Sequence, residues 1–333
     1  MKDILNEIEA DIIDINTKNF QYVATNEVPS RHDTSLTFER GLDKKGKELE
    51  TCVLYVDIRN SVELTKKHHS LTMGRIYTAF SKAILKIARH HKGHVRNIIG
   101  DRVMVVFPKE NCYTNALNCA ISIYHISHYI INKVFTGVEF KCGIGIDYGI
   151  LKVIKVGLHR RGSEGFDNKN LVWAGYPANI ASRLTDVAHK SVDNSKMRVQ
   201  YYPTNYAYLF PGLSDLGVLG RRRGLNRFSS ISEKPYSSIL QQDLLSNEEF
   251  VKRISFNADN GVSYNKGKFV SFDRMESKID FPPILMTSRV FNGYKIANPS
   301  SDSITKNFWV KIDNHEIKNV DGDVYGGTVY WKI

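Results

Sequence analysis

Two aspartates in this sequence sit where metal chemistry is easiest to build. The run Cys52-Val-Leu-Tyr-Val-Asp-Ile58 has the β-branched and aromatic density of a buried strand, and Asp57 lies inside it. A carboxylate there is costly unless it is paired or holds a cation. Asp101 lies in Gly100-Asp101-Arg102, between the strand-like runs Val95 to Ile99 and Val103 to Phe107, which predicts a hairpin with a tight turn. Gly-Asp alone is ordinary turn chemistry. If the first strand pairs beside the hairpin, however, both carboxylates leave the sheet at one end. They could then hold two hard divalent cations about 4 Å apart.

The elements that must position them can be read from periodicity. Ile76, Phe80, Ile84, Ile87 and Ala88 mark one face of a helix, which Gly93 is expected to close. A second helix is predicted from about Asn115 to Lys133, followed by strands Val138 to Ile146 and Ile150 to Val156 around a turn at Asp147-Tyr148-Gly149. A polar loop, Arg160 to Asn170, leads to Leu171-Val-Trp. Pro177 then suits the first turn of a helix running through Ala188. The order strand, helix, hairpin, helix, hairpin predicts an α+β sheet-and-helix sandwich. Ahead of it, Thr25 to Glu50 reads as an extended arm. Beyond Gly220 the texture turns to Ser, Asn, Lys and aromatic residues in short β-like runs. We expect an N-terminal helix and arm over 1–48, a catalytic domain over 49–215 and a C-terminal β-rich sensor or regulatory module over 216–333.

These motifs resemble those of class III nucleotidyl cyclases. Val56-Asp-Ile-Arg-Asn-Ser-Val62 is similar to the first metal motif of that family, and Ile99-Gly-Asp-Arg-Val-Met-Val-Val-Phe107 to its second-metal hairpin. Gly175-Tyr-Pro-Ala-Asn-Ile-Ala-Ser-Arg-Leu184 is similar to the helix that carries its asparagine and arginine, here Asn179 and Arg183. Residues four apart share a helix face, so an amide can orient the ribose while a guanidinium meets the charged phosphorane. The resemblance covers about Thr51 to Ala188 and implies a ferredoxin-like class III fold. It further implies two Mn2+ or Mg2+ ions per site, held by Asp57, Asp101 and the backbone carbonyl of Ile58. Asn60 and Ser61 are implied to contact the nucleoside triphosphate. The family works as a homodimer with shared sites, the carboxylates coming from one protomer and the Asn179–Arg183 helix from the other.

The departures point to the base. Purine cyclases of this family usually carry a lysine four residues before the second metal aspartate and an aspartate seven before the ribose asparagine. Here those positions hold Asn97 and Val172. Val172 cannot accept a hydrogen bond from an adenine amino group. Tyr55, two residues before Asp57 and so on the same strand face, could stack on a smaller base or hydrogen-bond to it. The missing purine readout and the tail texture resemble the pyrimidine cyclases of Pycsar antiphage systems, in which cyclic CMP or cyclic UMP activates a separate effector. Asn97 suits cytosine, and with its amide flipped suits uracil. The expectation is conversion of CTP to 3′,5′-cyclic CMP, with UTP or a purine substrate, or a nucleotide-binding sensor, as alternatives.

Composition restricts the rest. The 333 residues are 42% hydrophobic and 24% charged, as in ordinary globular proteins, and no stretch is long and apolar enough to span a bilayer. With an acidic, amphipathic N-terminus, a cytoplasmic protein without membrane association is expected. Cys52, Cys112, Cys119 and Cys142 lack C-x-x-C pairing and read as buried free thiols. The net charge of +11 would suit a polyanion, but its basic residues are dispersed apart from Arg221 to Arg223, so no nucleic-acid partner is expected. His68, His69, His90, His91 and His94 read as solvated helix-end residues rather than as a metal cluster.

Overall fold

A computed structural model of the chain describes residues 1–160, 163–209, 234–256, 261–313 and 317–332. The run Arg221 to Arg223 lies outside the described residues. The chain forms two units, one from Met1–Ser191 with Asp280–Ile333 and the other from Val192–Ile279.

The first unit is built on a nine-stranded sheet. Its strands are β1 (Phe20–Thr25), β2 (Lys44–Ile58), β3 (His94–Ile99), β4 (Arg102–Val106), β5 (Cys142–Arg160), β6 (Ser163–Ala174), β7 (Ile284–Thr287), β8 (Val310–Ile312) and β9 (Val324–Gly327). Their lateral order is β8-β9-β7-β5-β2-β4-β3, with β1 parallel to the start of β2 and β6 antiparallel to β5. The helices are α1 (Lys2–Thr17), α2 (Ser61–Lys67), α3 (Ser70–His90), α4 (Cys112–His125), α5 (Tyr176–Val187) and α6 (Ser288–Ala297).

Side chains alternate along β2 and divide the interior. Cys52, Leu54, Val56 and Ile58 enter the core with Ile76, Phe80 and Ile84 of α3 and with α4. Leu49 and Val53 instead pack with Ala178 and Ala181 of α5, and Tyr55 joins that second cluster. Asp57 has the parity of Tyr55, so both lie on the face that α5 covers. The β3–β4 turn passes through Gly100, whose φ of 60° is left-handed and suits a residue without a Cβ.

Several expectations change. Asp147, Tyr148 and Gly149 form no turn, because β5 runs unbroken through them, pairing Val53 with Asp147 and Thr51 with Gly149. The polar loop after Arg160 is instead strand β6. The helix expected to 133 is α4, continued by a π-helical segment, Ile126–Ile131. The arm is not free either, since β1 joins the sheet and Lys44, at the start of β2, is buried against Asp14.

The largest difference is in domain organisation, since residues 280–333 do not form a module with the preceding segment. β7 pairs parallel with β5 and antiparallel with β9, and Ile284, Leu285 and Met286 are all 0% exposed. An apolar strand buried on both faces gains about 2 kcal/mol per large side chain, which draws this segment into the main core. The second unit, 192–279, is by itself a five-stranded sheet around Val199, Tyr201, Leu245, Ile254 and Tyr264. No helix among the described residues is long and apolar enough to cross a membrane. The four cysteines are buried free thiols.

Candidate active site

The antiparallel register of β2 and β4 pairs Val56 with Val103, which sets Asp57 beside Arg102 and brings the Gly100–Asp101 turn to the same sheet end. A single strand pair therefore brings the two aspartates to one end of the sheet. Asp57 is mostly buried, with a side chain 14% exposed, and Oδ2 accepts a hydrogen bond from Arg102 Nη2 at 3.0 Å. Arg59 Nη1 lies 3.6 Å from the same oxygen. Among the described residues Oδ1 has no hydrogen-bond partner, and Asp101 forms neither a hydrogen bond nor an ion pair.

Arg102 does more than neutralise Asp57. It donates to Ser182 Oγ at 2.9 Å and to Asp186 Oδ1 at 2.6 Å, and so ties the end of β4 to α5. Burial pushes its guanidinium pKa down, but hydrogen bonds to Asp186 and Asp57 outweigh that and hold it above the ordinary value. Arg59 shows the opposite balance. Its side chain is 4% exposed and burial lowers its pKa, against the pull of Asp57, while its Nη2 donates to the Thr185 carbonyl. Thr185 Oγ1 in turn donates to the carbonyl of Tyr55 at 3.2 Å. The helix can sit this low because Gly145 of β5 leaves room, a Cβ there falling 2.3 Å from the Ala181 carbonyl.

The other predicted residues divide between this cluster and open surface. Tyr55 is half-buried beside Asp57, its hydroxyl donating to Met104 Sδ at 3.3 Å, and burial raises its pKa. Ile58 is buried in the core at 3% exposure. Asn60 is exposed in a left-handed conformation ahead of α2, whose first residue is Ser61. Asn97 follows a register shift in β3 and lines a pocket of about 340 Å³ with Arg31, Arg96, Asn170 and Trp173. Val172, 44% exposed, is on the adjacent segment of β6. Asn179 and Arg183 are exposed and make no hydrogen bond or ion pair with Asp57 or Asp101 of their own chain. Ser182, Thr185 and Asp186 occupy that position instead.

Sequence reading passed over Arg59, Arg102, Ser182 and Asp186, although Arg102 had a usable signal. Once the hairpin is laid against β2, the residue after Asp101 must stand across from Asp57. Asp147 reads in the sequence only as part of a turn. It is 0% exposed, accepts from Thr287 Oγ1 at 2.6 Å and Arg289 Nη2 at 3.3 Å, and burial raises its pKa. Those partners come from the returning C-terminal segment, so no local pattern could reveal them. No group of three His, Cys, Asp or Glu residues among the described residues is arranged to hold a metal ion. A site built here would use the two aspartates and backbone oxygen.

No protein-family profile matches the chain. It is 31% identical over 179 residues to a uridylate cyclase of Burkholderia cepacia, covering 52% of this chain and 73% of that one. A uridylate cyclase of Rhodovulum sp. is 22% identical over 211 residues, covering 61% and 82%. A cytidylate cyclase of Staphylococcus aureus is 26% identical over 157 residues, covering 44% and 33%. Among solved structures, the adenylyl cyclase CyaB from P. aeruginosa aligns with a TM-score of 0.37 at 21% identity, over 42% of this chain and 73% of that chain. With its two carboxylates brought to one sheet end beneath α5, this chain is a nucleotidyl cyclase and belongs to the family of pyrimidine nucleotide cyclases.

Proposed function

We propose that the protein converts UTP to 3′,5′-cyclic UMP and pyrophosphate, in a homodimer whose two sites each draw on both protomers. The observation that supports the reading is the pairing of β2 with β4, which brings Asp57 and the Gly100–Asp101 turn to the same sheet end. Both are hard oxygen donors suited to Mn2+ or Mg2+, and Asp57 Oδ1 and the Asp101 carboxylate have no competing partner among the described residues. Asp57, Asp101 and the Ile58 carbonyl would hold such ions, which when bound acidify the ribose 3′-hydroxyl and screen the triphosphate. Asn60 and Ser61, where the chain turns into α2, would meet the phosphates. Arg183 of the partner protomer would neutralise charge growing on the phosphorane, and its Asn179 would orient the ribose. The exposure of both in their own chain supports this division.

For the base, Asn97 replaces the purine-reading lysine, and its pocket includes Arg31 and Arg96, which are donors only. Uracil offers two carbonyl acceptors, whereas cytosine presents an amino donor. The uridylate cyclases also share longer stretches with this chain than the cytidylate cyclase does. CTP is the second reading, favoured by an Asn97 amide able to face cytosine N3 and its amino group, while Tyr55 would contact either base. The cyclic nucleotide would serve as an antiphage messenger acting on a separate effector, a role supported by the resemblance to Pycsar cyclases. The direct test is to incubate the purified protein with each of the four ribonucleoside triphosphates and Mn2+. UTP turnover at least about tenfold above ATP and GTP, roughly 1.4 kcal/mol, is expected. ATP as best substrate would defeat the pyrimidine reading, and CTP as best would replace UTP.

A further inference from the structure

Two surfaces of the first unit carry opposite charge. Helix α1 buries none of its 16 residues. Ile4, Leu5, Ile8, Ile12 and Ile15 are each 46–60% exposed, and at about 100° per residue they fall in one apolar stripe. The helix holds five carboxylates against one lysine. Asp3 and Glu7 flank one edge of the stripe and Glu9 the other, while Asp11 and Asp14 pair with Arg40 and Lys44 of their own chain. Five large aliphatic side chains in one exposed row mark a contact surface.

The second surface is a groove of about 730 Å³ between the end of α3 and the start of β3. Leu85, Val95 and Pro108 give it an apolar lining, Lys82, Lys86 and Arg89 add positive charge, and no carboxylate lines it. An acidic amphipathic helix fits such a groove in both hydropathy and charge. The chain's own helix is anchored elsewhere, with Asp14 tied to Lys44 and to the Gly41 amide. α1 runs almost directly into β1, whose Phe20 pairs with Lys44, whereas the groove adjoins the β3–β4 pairing, where Val106 lies opposite Val53. Nine residues of β2 separate those points, roughly 30 Å of extended strand.

We propose that the apolar face of α1 in one copy of this chain docks in the α3–β3 groove of a second copy, reciprocally about a two-fold axis. Each copy carries one helix and one groove, so the exchange closes at two chains. Copies with a net charge of +11 repel one another, and the acidic helix supplies the compensating attraction. The groove shares Leu85, Val95 and Arg96 with the pocket around Asn97, so the contact lies beside the proposed base site within the same two-fold dimer, yet it is carried by charge and hydropathy and stands without the cyclase reading.

Cross-linking and sedimentation test it on the full chain. Mixed Ile8→Cys and Lys86→Cys proteins, treated with a short bis-maleimide, should yield a dimer-mass product that neither protein yields alone, the native cysteines being buried. In sedimentation, Glu7→Lys/Glu9→Lys and Lys82→Glu/Lys86→Glu should each weaken dimerisation at least about tenfold, and mixing the two should restore it. A wild-type chain that stays monomeric, or a dimer unmoved by both charge variants, would overturn the proposal. So would a monomer-mass internal cross-link in Ile8→Cys/Lys86→Cys, showing that α1 packs on its own chain. Binding of a 20-base-pair DNA duplex that Lys82→Glu/Lys86→Glu abolishes without moving dimerisation would assign the groove to nucleic acid and overturn it as well. If the cyclase reading fails, no nucleotide turns over at any enzyme concentration, yet these physical readouts remain. If it holds, the charge variants reach wild-type specific activity only at higher enzyme concentration.

Discussion

Asp57 balances Arg59 and Arg102 in the fold and is also the first proposed metal ligand, and substitutions can separate the two roles. Asp57→Asn keeps an acceptor for Arg102 and should reduce cyclisation at least about a hundredfold with little change in melting temperature. Asp57→Ala should lose activity equally and also lose about 3 kcal/mol of stability, because Arg59, 4% exposed, is left without its counter-charge. Asp101→Ala, which loses no partner among the described residues, should abolish activity and leave the melt unchanged. Activity assays beside thermal denaturation check all three, and an active Asp101→Ala would remove that residue from the site. A different residue contributes to the acid response. Burial, reinforced by the neighbouring His90, lowers the His91 pKa to about 4, and its Nε2 lies 2.9 Å from Ser122 Oγ. Its unfolded value is near 6.5, so the unfolded chain binds the proton first. The stability His91 contributes is complete above about pH 6.5 and is lost as pH falls toward 4. His91→Gln, which can keep the Ser122 bond without titrating, should flatten that decline in denaturant melts between pH 7 and 5.

The C-terminal segment and the second unit make opposite predictions on removal. Strand β7 is completely buried beside β5, and Val290, Tyr294 and Trp309 join the same core. Truncation after residue 279 should therefore expose that core and abolish cooperative unfolding. Excision of 192–279 should be tolerated. Ser191 Oγ donates to Asp280 Oδ1, and the Phe281 amide donates to the Lys190 carbonyl at 2.8 Å, so a few glycine and serine residues can join the cut ends. Every residue proposed for the site lies in the unit that remains. Far-UV circular dichroism with thermal melts distinguishes the outcomes, and a well-folded truncation at 279 would contradict the common core.

For the whole molecule, the shared site predicts complementation. Arg183 and Asn179 are exposed in the chain that bears them, so Asp57→Ala and Arg183→Ala should each be nearly inactive. Co-expressed, they form mixed dimers in which both lesions fall in one site and the other is whole. With random exchange about half the dimers are mixed, and about a quarter of wild-type activity should return. Confirmed mixed dimers without activity would place Asp57 and Arg183 within one protomer.

What the sequence determined by itself was whatever depends on neighbours along the chain. The apolar run around Asp57, the Gly-Asp turn and the four-residue spacing of Asn179 and Arg183 are local patterns, and strand parity alone set Tyr55 and Asp57 on one face. Tertiary structure decided what depends on residues far apart. The turn expected at Asp147 became mid-strand because β2 pairs with β5 continuously from Cys142 to Val153, and pairing overrides a weak local turn preference. The C-terminal segment was assigned to a separate module because its partner strand β5 lies more than a hundred residues earlier. Ser182 and Asp186 reach the Arg102–Asp57 pair only after α5 folds over the sheet. Charge pairing is a property of distance in space, which spacing along a chain does not carry.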